Sequence, residues 1–91
     1  MRRAARVDTN HASIIRTLKR CGCRVLSLHQ LGGGVPDLLI HFNNGNYLLE
    51  VKDTHGQLRD SQREFMRRWP NVYVVRTTND VVSLLNKLRR E

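Results

Sequence analysis

Apolar residues recur along the chain with two different spacings, and the switch between these spacings predicts the secondary structure. In three stretches they fall three or four residues apart, as on the buried face of a helix. Elsewhere they alternate with polar residues or form short branched runs, as in strands. The helical stretches are 8–22, about 59–69 and 79–90, and the strand-like stretches are 24–28, 34–52 and 71–76. Because 34–52 contains two strands, the predicted order is αβββαβα, an α/β fold with a mixed sheet of about four strands flanked by helices.

The stretch 34–52 predicts a β-hairpin, because an Asn-Gly pair at its centre tolerates the positive φ of a tight turn. With Asn44 and Gly45 as the two loop residues, Asp37 lies opposite Lys52. One face of this hairpin is wholly apolar and the other is mixed. The apolar face carries Leu38, Ile40, Phe42, Tyr47, Leu49 and Val51, and the mixed face carries Asp37, Leu39, His41, Leu48, Glu50 and Lys52.

Two carboxylates and an ammonium group share the mixed face, where burial costs free energy unless the charges serve each other or a cation. The diagonal from Asp37 to Glu50 spans roughly 7–8 Å between backbones, which the side chains can close around a metal ion. Carboxylates without Cys or a second His at ligand spacing favour Mg²⁺ or Mn²⁺ over zinc. Such an ion can activate water against a phosphodiester, while Lys52 orients that water or stabilises the pentavalent phosphate. The alternative is a cross-strand Asp37–Lys52 ion pair, worth about 0–1 kcal/mol, with Glu50 in solvent.

Charge points to a polyanionic partner. The 91 residues include 16 Lys and Arg against 8 Asp and Glu, a formal net charge of +8 that favours nucleic acid. No apolar run approaches the roughly 20 residues of a membrane span, and the basic N-terminus lacks the apolar core of a signal peptide. We expect one cytoplasmic domain over 1–91, with 1–7 a mobile basic arm, and free thiols at Cys21 and Cys23.

The residues around the two carboxylates resemble a known signature. Val35-Pro36-Asp37, a hairpin and Glu50-Val51-Lys52 match the PD-(D/E)-x-K nuclease motif. Gly34 to Leu39, Leu49 to Asp53, Leu58 and Gln62 look like the VRR-Nuc (virus-type replication-repair nuclease) family, especially its stand-alone phage and prophage members. The likeness covers nearly the whole chain and implies a restriction-endonuclease-like core.

The resemblance also implies a role for each matching residue. Asp37 and Glu50 would bind Mg²⁺ or Mn²⁺, with the Val51 carbonyl as a further ligand. Lys52 would act on the nucleophilic water or the transition state, and Gln62 would assist near the scissile phosphate. Stand-alone members resemble Holliday-junction resolvases, so the resemblance implies a homodimeric DNA endonuclease acting on branched DNA.

Candidate DNA contacts lie beside this motif. Four arginines crowd one short helix and repel one another unless an anion is present, so we interpret that helix as a ridge that binds the DNA backbone; the alternative is an ordinary solvated face. Gly33 and Gly34 can let the backbone approach a phosphate, or can simply form a flexible turn. The arginines are Arg59, Arg63, Arg67 and Arg68, and on the same helix Phe65 and Trp69 are interpreted as core residues.

The first helix departs from the family pattern. Related nucleases usually carry a Glu where this chain, by register with that pattern, has Ser13, and Asn10 or Asp8 is an alternative substitute for that Glu. A neutral serine binds a hard cation poorly, which predicts one firmly held ion and at most a weak second. The departure supports an alternative function, a DNA-binding module that keeps the nuclease fold with weak or no cleavage; an RNA-directed nuclease is a third. His29 and His41 are interpreted as structural or exposed rather than catalytic.

Overall fold

The computed structural model describes residues 10–90, so the basic arm predicted for 1–7 lies outside the described part of the chain. The elements are α1 (His11–Arg20), β1 (Arg24–Ser27), β2 (Leu38–Phe42), β3 (Gly45–Val51), α2 (Asp60–Arg68), β4 (Val72–Val75) and α3 (Thr78–Arg89). The predicted order αβββαβα is confirmed. None of the helices within 10–90 combines the length and the apolar character needed to cross a bilayer.

One four-stranded mixed sheet runs in the order β1-β2-β3-β4. The first three strands are antiparallel, and β4 pairs parallel to β3 because the chain returns through α2. A mixed sheet of four strands flanked by helices is the architecture of a restriction-endonuclease-like core, as the sequence predicted.

The hairpin register differs from the prediction. The two loop residues are Asn43 and Asn44, with φ of 51° and 70°, so Phe42 pairs with Gly45. Both asparagines take the positive φ that a two-residue hairpin turn requires, and Asn tolerates it. The predicted Asn44-Gly45 loop and the Asp37–Lys52 pairing are therefore wrong. Because cross-strand partners move by two residues, every side chain stays on its predicted face.

The apolar face of the sheet is covered by α1 and α3, which pack against each other. Both helices start at the end of the sheet that holds Asp37 and Lys52, here called the Asp37 end. They finish at the end that holds the Asn43-Asn44 turn, here called the turn end. The fully buried side chains between these layers include Ile14, Leu18, Leu38, Ile40, Leu49, Val75, Val81, Leu85 and Leu88.

The helix α2 contributes little to this core. Trp69, which follows α2, is 55% exposed, and its ring stacks on Phe65 at 5.3 Å between centroids. Neither residue belongs to the buried cluster, so their assignment to the core is wrong. The continuous apolar run Val72–Val75 predicts a buried strand, but in β4 only Val75 is buried. The reason in both cases is that α1 and α3 cover one face of the sheet and leave α2 at its margin.

Candidate active site

Asp37 comes directly before β2, where the new register brings it closer to Glu50 than predicted. Continuing the Leu38–Leu49 pairing by one step places Asp37 opposite Glu50. Directly opposed residues have Cβ atoms about 4.5–5.5 Å apart, which is shorter than the predicted diagonal. Asp37 Oδ2 accepts a hydrogen bond from the Val51 N–H at 2.9 Å. This bond holds one carboxylate oxygen of Asp37 against the end of β3.

The other oxygen of Asp37 faces the loop that follows β1. His29 Nδ1 lies 4.0 Å from Asp37 Oδ1, and the His29 side chain is 74% exposed. His29 is therefore a solvent-exposed neighbour of the carboxylate rather than a buried structural residue.

Glu50 is the most deeply buried acid among the described residues, with 3% of its surface exposed. Its Oε2 accepts a hydrogen bond from Gln62 Nε2 at 2.9 Å and lies 4.0 Å from Lys52 Nζ. Burial first and the Asp37 charge second raise the pKa of Glu50 from 4.5 to about 7, although Lys52 and Arg59 act in the opposite direction. A buried carboxylate beside a second carboxylate binds a proton tightly, and a divalent cation can replace that proton.

The backbone of Lys52 is fixed on both sides. Its N–H donates to the Val75 carbonyl at 3.1 Å, and its carbonyl accepts from Asn10 Nδ2 at 3.0 Å. The ammonium group, with 16% of the side chain exposed, lies nearest to Glu50. The alternative of an Asp37–Lys52 ion pair with a solvated Glu50 is therefore wrong, because Asp37 bonds to Val51 and Glu50 is buried.

Gln62 is oriented by both ends of its amide. Its Oε1 accepts from the Arg59 N–H at 2.7 Å, at the start of α2, and this leaves Nε2 to donate to Glu50 at 2.9 Å. Because the oxygen is used by the helix start, the amide cannot rotate without losing that bond. The side chain is only 5% exposed. Gln62 thus holds the Glu50 carboxylate in place.

Gly34 allows α2 to come this close. Its φ is +84°, and an added Cβ would lie 2.6 Å from the Ser61 carbonyl carbon and 3.2 Å from the Gln62 nitrogen. Any side chain here would push away the first turn of α2 and the Gln62 amide with it. Gly33, at φ +65°, has nothing within 4 Å of an added Cβ. The sequence suggested a phosphate contact or a flexible turn for Gly34. Its contact with the first turn of α2 was missed, because Ser61 is distant along the chain.

The carbonyl of Val51 is placed where a strand partner cannot bond it. Within a strand the N–H and C=O of one residue point to the same side, and the Val51 N–H points to Asp37. The register places Val51 opposite Pro36, which has no N–H to donate. This carbonyl therefore receives no hydrogen bond from Pro36, and its role as a metal ligand stays a prediction.

One cavity of about 480 Å³ collects the predicted catalytic residues. Asp37, Glu50, Lys52 and Gln62 all line it. Its remaining lining residues are His11, Ile15, Ser27, His29, Val51 and Arg59.

The first helix faces this cavity with a different residue from the one predicted. His11 and Ile15, four residues apart on one helix face, line the cavity. Ser13 instead donates from its hydroxyl to the Asn10 carbonyl at 2.9 Å. The assignment of Ser13 to the site-facing position is therefore wrong, and His11 was missed. The i, i+4 spacing of His11 and Ile15 was the available signal, but it does not say which face of the helix meets the sheet.

The donor set suits a hard cation that keeps some of its waters. Within 10–90 no group of three or more His, Cys, Asp or Glu side chains is arranged to hold an ion. The donors are two carboxylates, from Asp37 and Glu50, and the Val51 carbonyl. Mg²⁺ and Mn²⁺ accept few protein oxygens plus waters, whereas a structural zinc site needs four nitrogen or sulfur ligands. These residues therefore fit the ion that the sequence predicted.

The charges of three arginines of α2 are partly offset by two carboxylates of the same helix. Arg63 lies 3.3 Å from Asp60, and Glu64 binds both Arg67 and Arg68. These two bonds lower the pKa of Glu64. The argument that the guanidiniums repel one another without a bound anion is thus wrong, because each has a carboxylate within its own helix. The exception is Arg59, which lines the cavity.

Comparison with known proteins identifies the family of the chain. A protein-family model described as VRR-NUC domain matches residues 3–72, which is more than half of the chain and includes every residue placed in the cavity. Among curated proteins, none matches the chain.

Proposed function

The chain belongs to the VRR-NUC domain family of nucleases, and from that premise we propose that it is a divalent-metal-dependent DNA endonuclease that hydrolyses phosphodiester bonds at the Asp37 end. The observation that carries the proposal is the convergence of Asp37, Glu50, Lys52 and Gln62 on one cavity. The two carboxylates and the ammonium group line the same cavity. This arrangement is suited to binding a cation beside a phosphate.

The ligands of the ion would be Asp37, Glu50 and the Val51 carbonyl. When bound, Mg²⁺ or Mn²⁺ lowers the pKa of a water and offsets the negative charge of the phosphate. In the hydrolysis, the water oxygen would form a bond to phosphorus and its proton would pass to bulk water, while the bond from phosphorus to one ester oxygen would break and that oxygen would take a proton from bulk water. Lys52 stabilises the charge that builds up on the pentavalent phosphate, and Gln62 keeps Glu50 in its ligating position.

Cleavage of a labelled four-way DNA junction tests this proposal. We expect Mn²⁺- or Mg²⁺-dependent nicking, and we expect Glu50→Gln to reduce it by about 10²-fold or more, because a metal ligand is lost. The matched control is Asp53→Asn, which removes an exposed carboxylate just beyond Lys52 and should stay within about threefold of wild type. Equal nicking in excess chelator, or an undiminished Glu50→Gln variant, contradicts the proposal.

A rival function is a DNA-binding module with weak or no cleavage. One observation favours it: α1 presents His11 rather than a third carboxylate to the cavity. Calorimetric titration with Mn²⁺ separates the two functions, because a module that only binds DNA has no reason to hold a cation at Asp37 and Glu50. Binding that disappears in Glu50→Gln supports the nuclease.

We further propose branched DNA as the substrate and a homodimer as the acting form. The support is the resemblance to stand-alone junction-cleaving relatives, in which two copies cut two strands. Sedimentation of the protein alone and with a junction tests the assembly. Competition among junction, linear duplex and RNA at fixed salt tests the substrate, since affinities at different salt concentrations are not comparable.

Phosphate contacts near the cut are proposed for Arg59 and the Gly33–Gly34 backbone. Arg59 lines the cavity, and Gly33 is exposed with open space around it. The predicted contacts of Arg63 and Arg67 remain predictions, and they would require each guanidinium to share or exchange its carboxylate partner for a phosphate.

A further inference from the structure

Exposed cations gather at the turn end, away from the cavity. Because α1 and α3 run in the same direction, both of their last turns lie there. We call this group the turn-end surface. Its members are Lys19, Arg20, Arg24, Lys87, Arg89 and Arg90, and all are exposed.

Contacts between the elements place these residues around the ends of two strands. Arg24 starts β1 and pairs with His41 of β2. The Arg89 guanidinium lies 5.4 Å from the centre of the Phe42 ring, and Asn43 Nδ2 donates to the Arg89 carbonyl at 3.4 Å. The last turn of α3 thus borders β2 on one side, while the last turn of α1 leads into β1 through a short turn.

The turn-end cations have no carboxylate partners among residues 10–90. The ion pairs among residues 10–90 all involve cations outside the turn-end surface. These cations are His29 and Lys52 at the cavity, and Arg63, Arg67 and Arg68 on α2. The described acids lie at the Asp37 end, in the following loop, on α2 or at the start of α3. Among residues 10–90, charge is therefore segregated along the sheet, with only cations among the charged side chains at the turn end.

Helix dipoles explain only part of this pattern. Basic residues in a last helical turn interact favourably with the carbonyls there, which accounts for Lys19, Arg20, Lys87 and Arg89 individually. The dipole does not account for Arg24, which lies on β1 and shares the mixed face of the sheet with His41, opposite the face that α1 and α3 cover. Nor does it offset the mutual repulsion of cations gathered at one end of the fold, which a polyanion would relieve.

We propose that the turn-end surface binds the backbone of a second DNA segment, separate from the segment cut at the Asp37 end. This inference rests on the proposed nuclease function for the identity of the polyanion. The seven residues of β3 separate the two ends of the sheet by about 20 Å at roughly 3.3 Å per residue. A nucleotide cannot touch both ends, whereas an extended or branched DNA can. The turn-end surface would thus favour substrates that present backbone on two sides of the protein.

Two triple variants of equal charge test the inference. Arg20→Gln, Arg24→Gln and Lys87→Gln remove three cations from the turn end. Arg63→Gln, Arg67→Gln and Arg68→Gln remove three from α2, where they are already paired. Binding of a fluorescent four-way junction is measured in EDTA, without cleavage, at several salt concentrations. Arg89 is left intact because it packs on Phe42.

The salt dependence of binding gives the decisive reading. Each phosphate contact adds about 0.9 to the magnitude of the negative slope of log K against log salt. The turn-end variant, which removes three cations, should therefore reduce that magnitude by up to about 2.7. We expect the α2 variant to lower it by less than about 1, because these arginines would have to give up a carboxylate partner to bind a phosphate; a loss near that of the turn-end variant would instead support the predicted contacts of Arg63 and Arg67. Equal slopes for the two variants mean that only net charge matters and overturn the proposal, as does a larger loss in the α2 variant. Thermal unfolding checks that both variants fold.

Two further measurements make the result unambiguous. If wild type sediments with anionic vesicles, and the turn-end variant loses that binding while keeping the DNA slope, the surface meets a membrane and the proposal is wrong. Glu50→Gln should keep the wild-type slope even though it does not cut. Failure of the nuclease proposal and failure of the turn-end proposal therefore show up in different experiments, one in cleavage and the other in salt dependence.

Discussion

At the Asp37 end of the sheet, charges of both signs are buried against one another, whereas at the turn end charges of one sign stand in solvent. Glu50 is 3% exposed and bonded to Gln62, while Arg20 and Arg24 are exposed with no carboxylate partner in the described chain. Burial strengthens electrostatic interactions and shifts a pKa, but solvent and salt screen exposed charges. The first arrangement is suited to chemistry at one point, and the second to salt-dependent binding of a long polyanion.

The largest effect should come from the ammonium group at the Asp37 end. We expect Lys52→Gln to reduce kcat on a junction by about 10²–10³-fold, the usual loss when one group that stabilises the transition state is removed. Mn²⁺ affinity should remain or increase, because a cation near the two carboxylates has gone. Single-turnover cleavage and calorimetry measure the two quantities.

The control for Lys52→Gln is Arg16→Gln, an equal charge change at an exposed position on α1 outside both regions. It should leave kcat unchanged within about twofold. If Lys52→Gln also abolishes Mn²⁺ binding, Lys52 organises the site and does not act on the transition state alone.

The next effect is a pH dependence of stability in the metal-free protein. Glu50 has a pKa of about 7 when folded against an ordinary 4.5, so between these values the folded state binds more protons than the unfolded state. Stability must then fall as the pH rises, with no cost below 4.5 and the full cost, about 3 kcal/mol, above 7. Urea unfolding in EDTA at pH 5 and pH 7.5 measures this loss.

Two controls sharpen the pH experiment. Glu50→Gln should remove most of the decrease, because an amide does not titrate. Saturating Mn²⁺ should also reduce it, since the cation replaces the proton between the carboxylates. A decrease of the same size in Glu50→Gln would show that another group causes the pH dependence.

A smaller effect is a difference in the free energy of unfolding between alanine variants of Gly33 and Gly34. Gly33→Ala and Gly34→Ala both place a Cβ at positive φ, which costs about 1–2 kcal/mol. Only Gly34→Ala also meets the backbone of α2, which should cost about 1–3 kcal/mol more. Urea unfolding measures the difference, and a matching loss of Mn²⁺ affinity would show that Gln62 has moved. Equal stability of the two variants contradicts the role given to Gly34.

The last prediction concerns a pKa that burial shifts near the turn end, where no catalytic role is proposed. Both thiols are free, as the sequence predicted, and Cys23 is buried. Burial first and Cys21 second raise the pKa of Cys23 from 9.0 to about 11. Near pH 8 the thiolate is then about 100-fold rarer than in the unfolded chain, so alkylation should be correspondingly slow. Mass spectrometry of the iodoacetamide product, folded and in urea, measures the rates; equal rates would mean that Cys23 is accessible and unshifted.

Much of the site followed from local pattern. Alternation along β2 and β3 assigns Asp37, Glu50 and Lys52 to one face whichever residues form the turn, because a change of two residues in pairing preserves side-chain direction. The three residues therefore converged although the predicted register was wrong. Helix and strand order followed from spacing in the same way, since both periods are properties of neighbouring residues.

Contacts between distant parts of the chain needed the folded arrangement. Asp8, Thr9 and Asn10 are all of residue types that can cap the start of α1, but the Asn10 side chain makes no capping bond and its amide donates to the carbonyls of Lys52 and Arg76, the latter 66 residues away. Three other contacts likewise depend on how the helices pack on the sheet. Gln62 bonds to Glu50, α2 packs against Gly34, and α1 turns His11 rather than Ser13 toward the cavity. Periodicity describes one element at a time, whereas these distances are set by close packing among several, and no local pattern contains them.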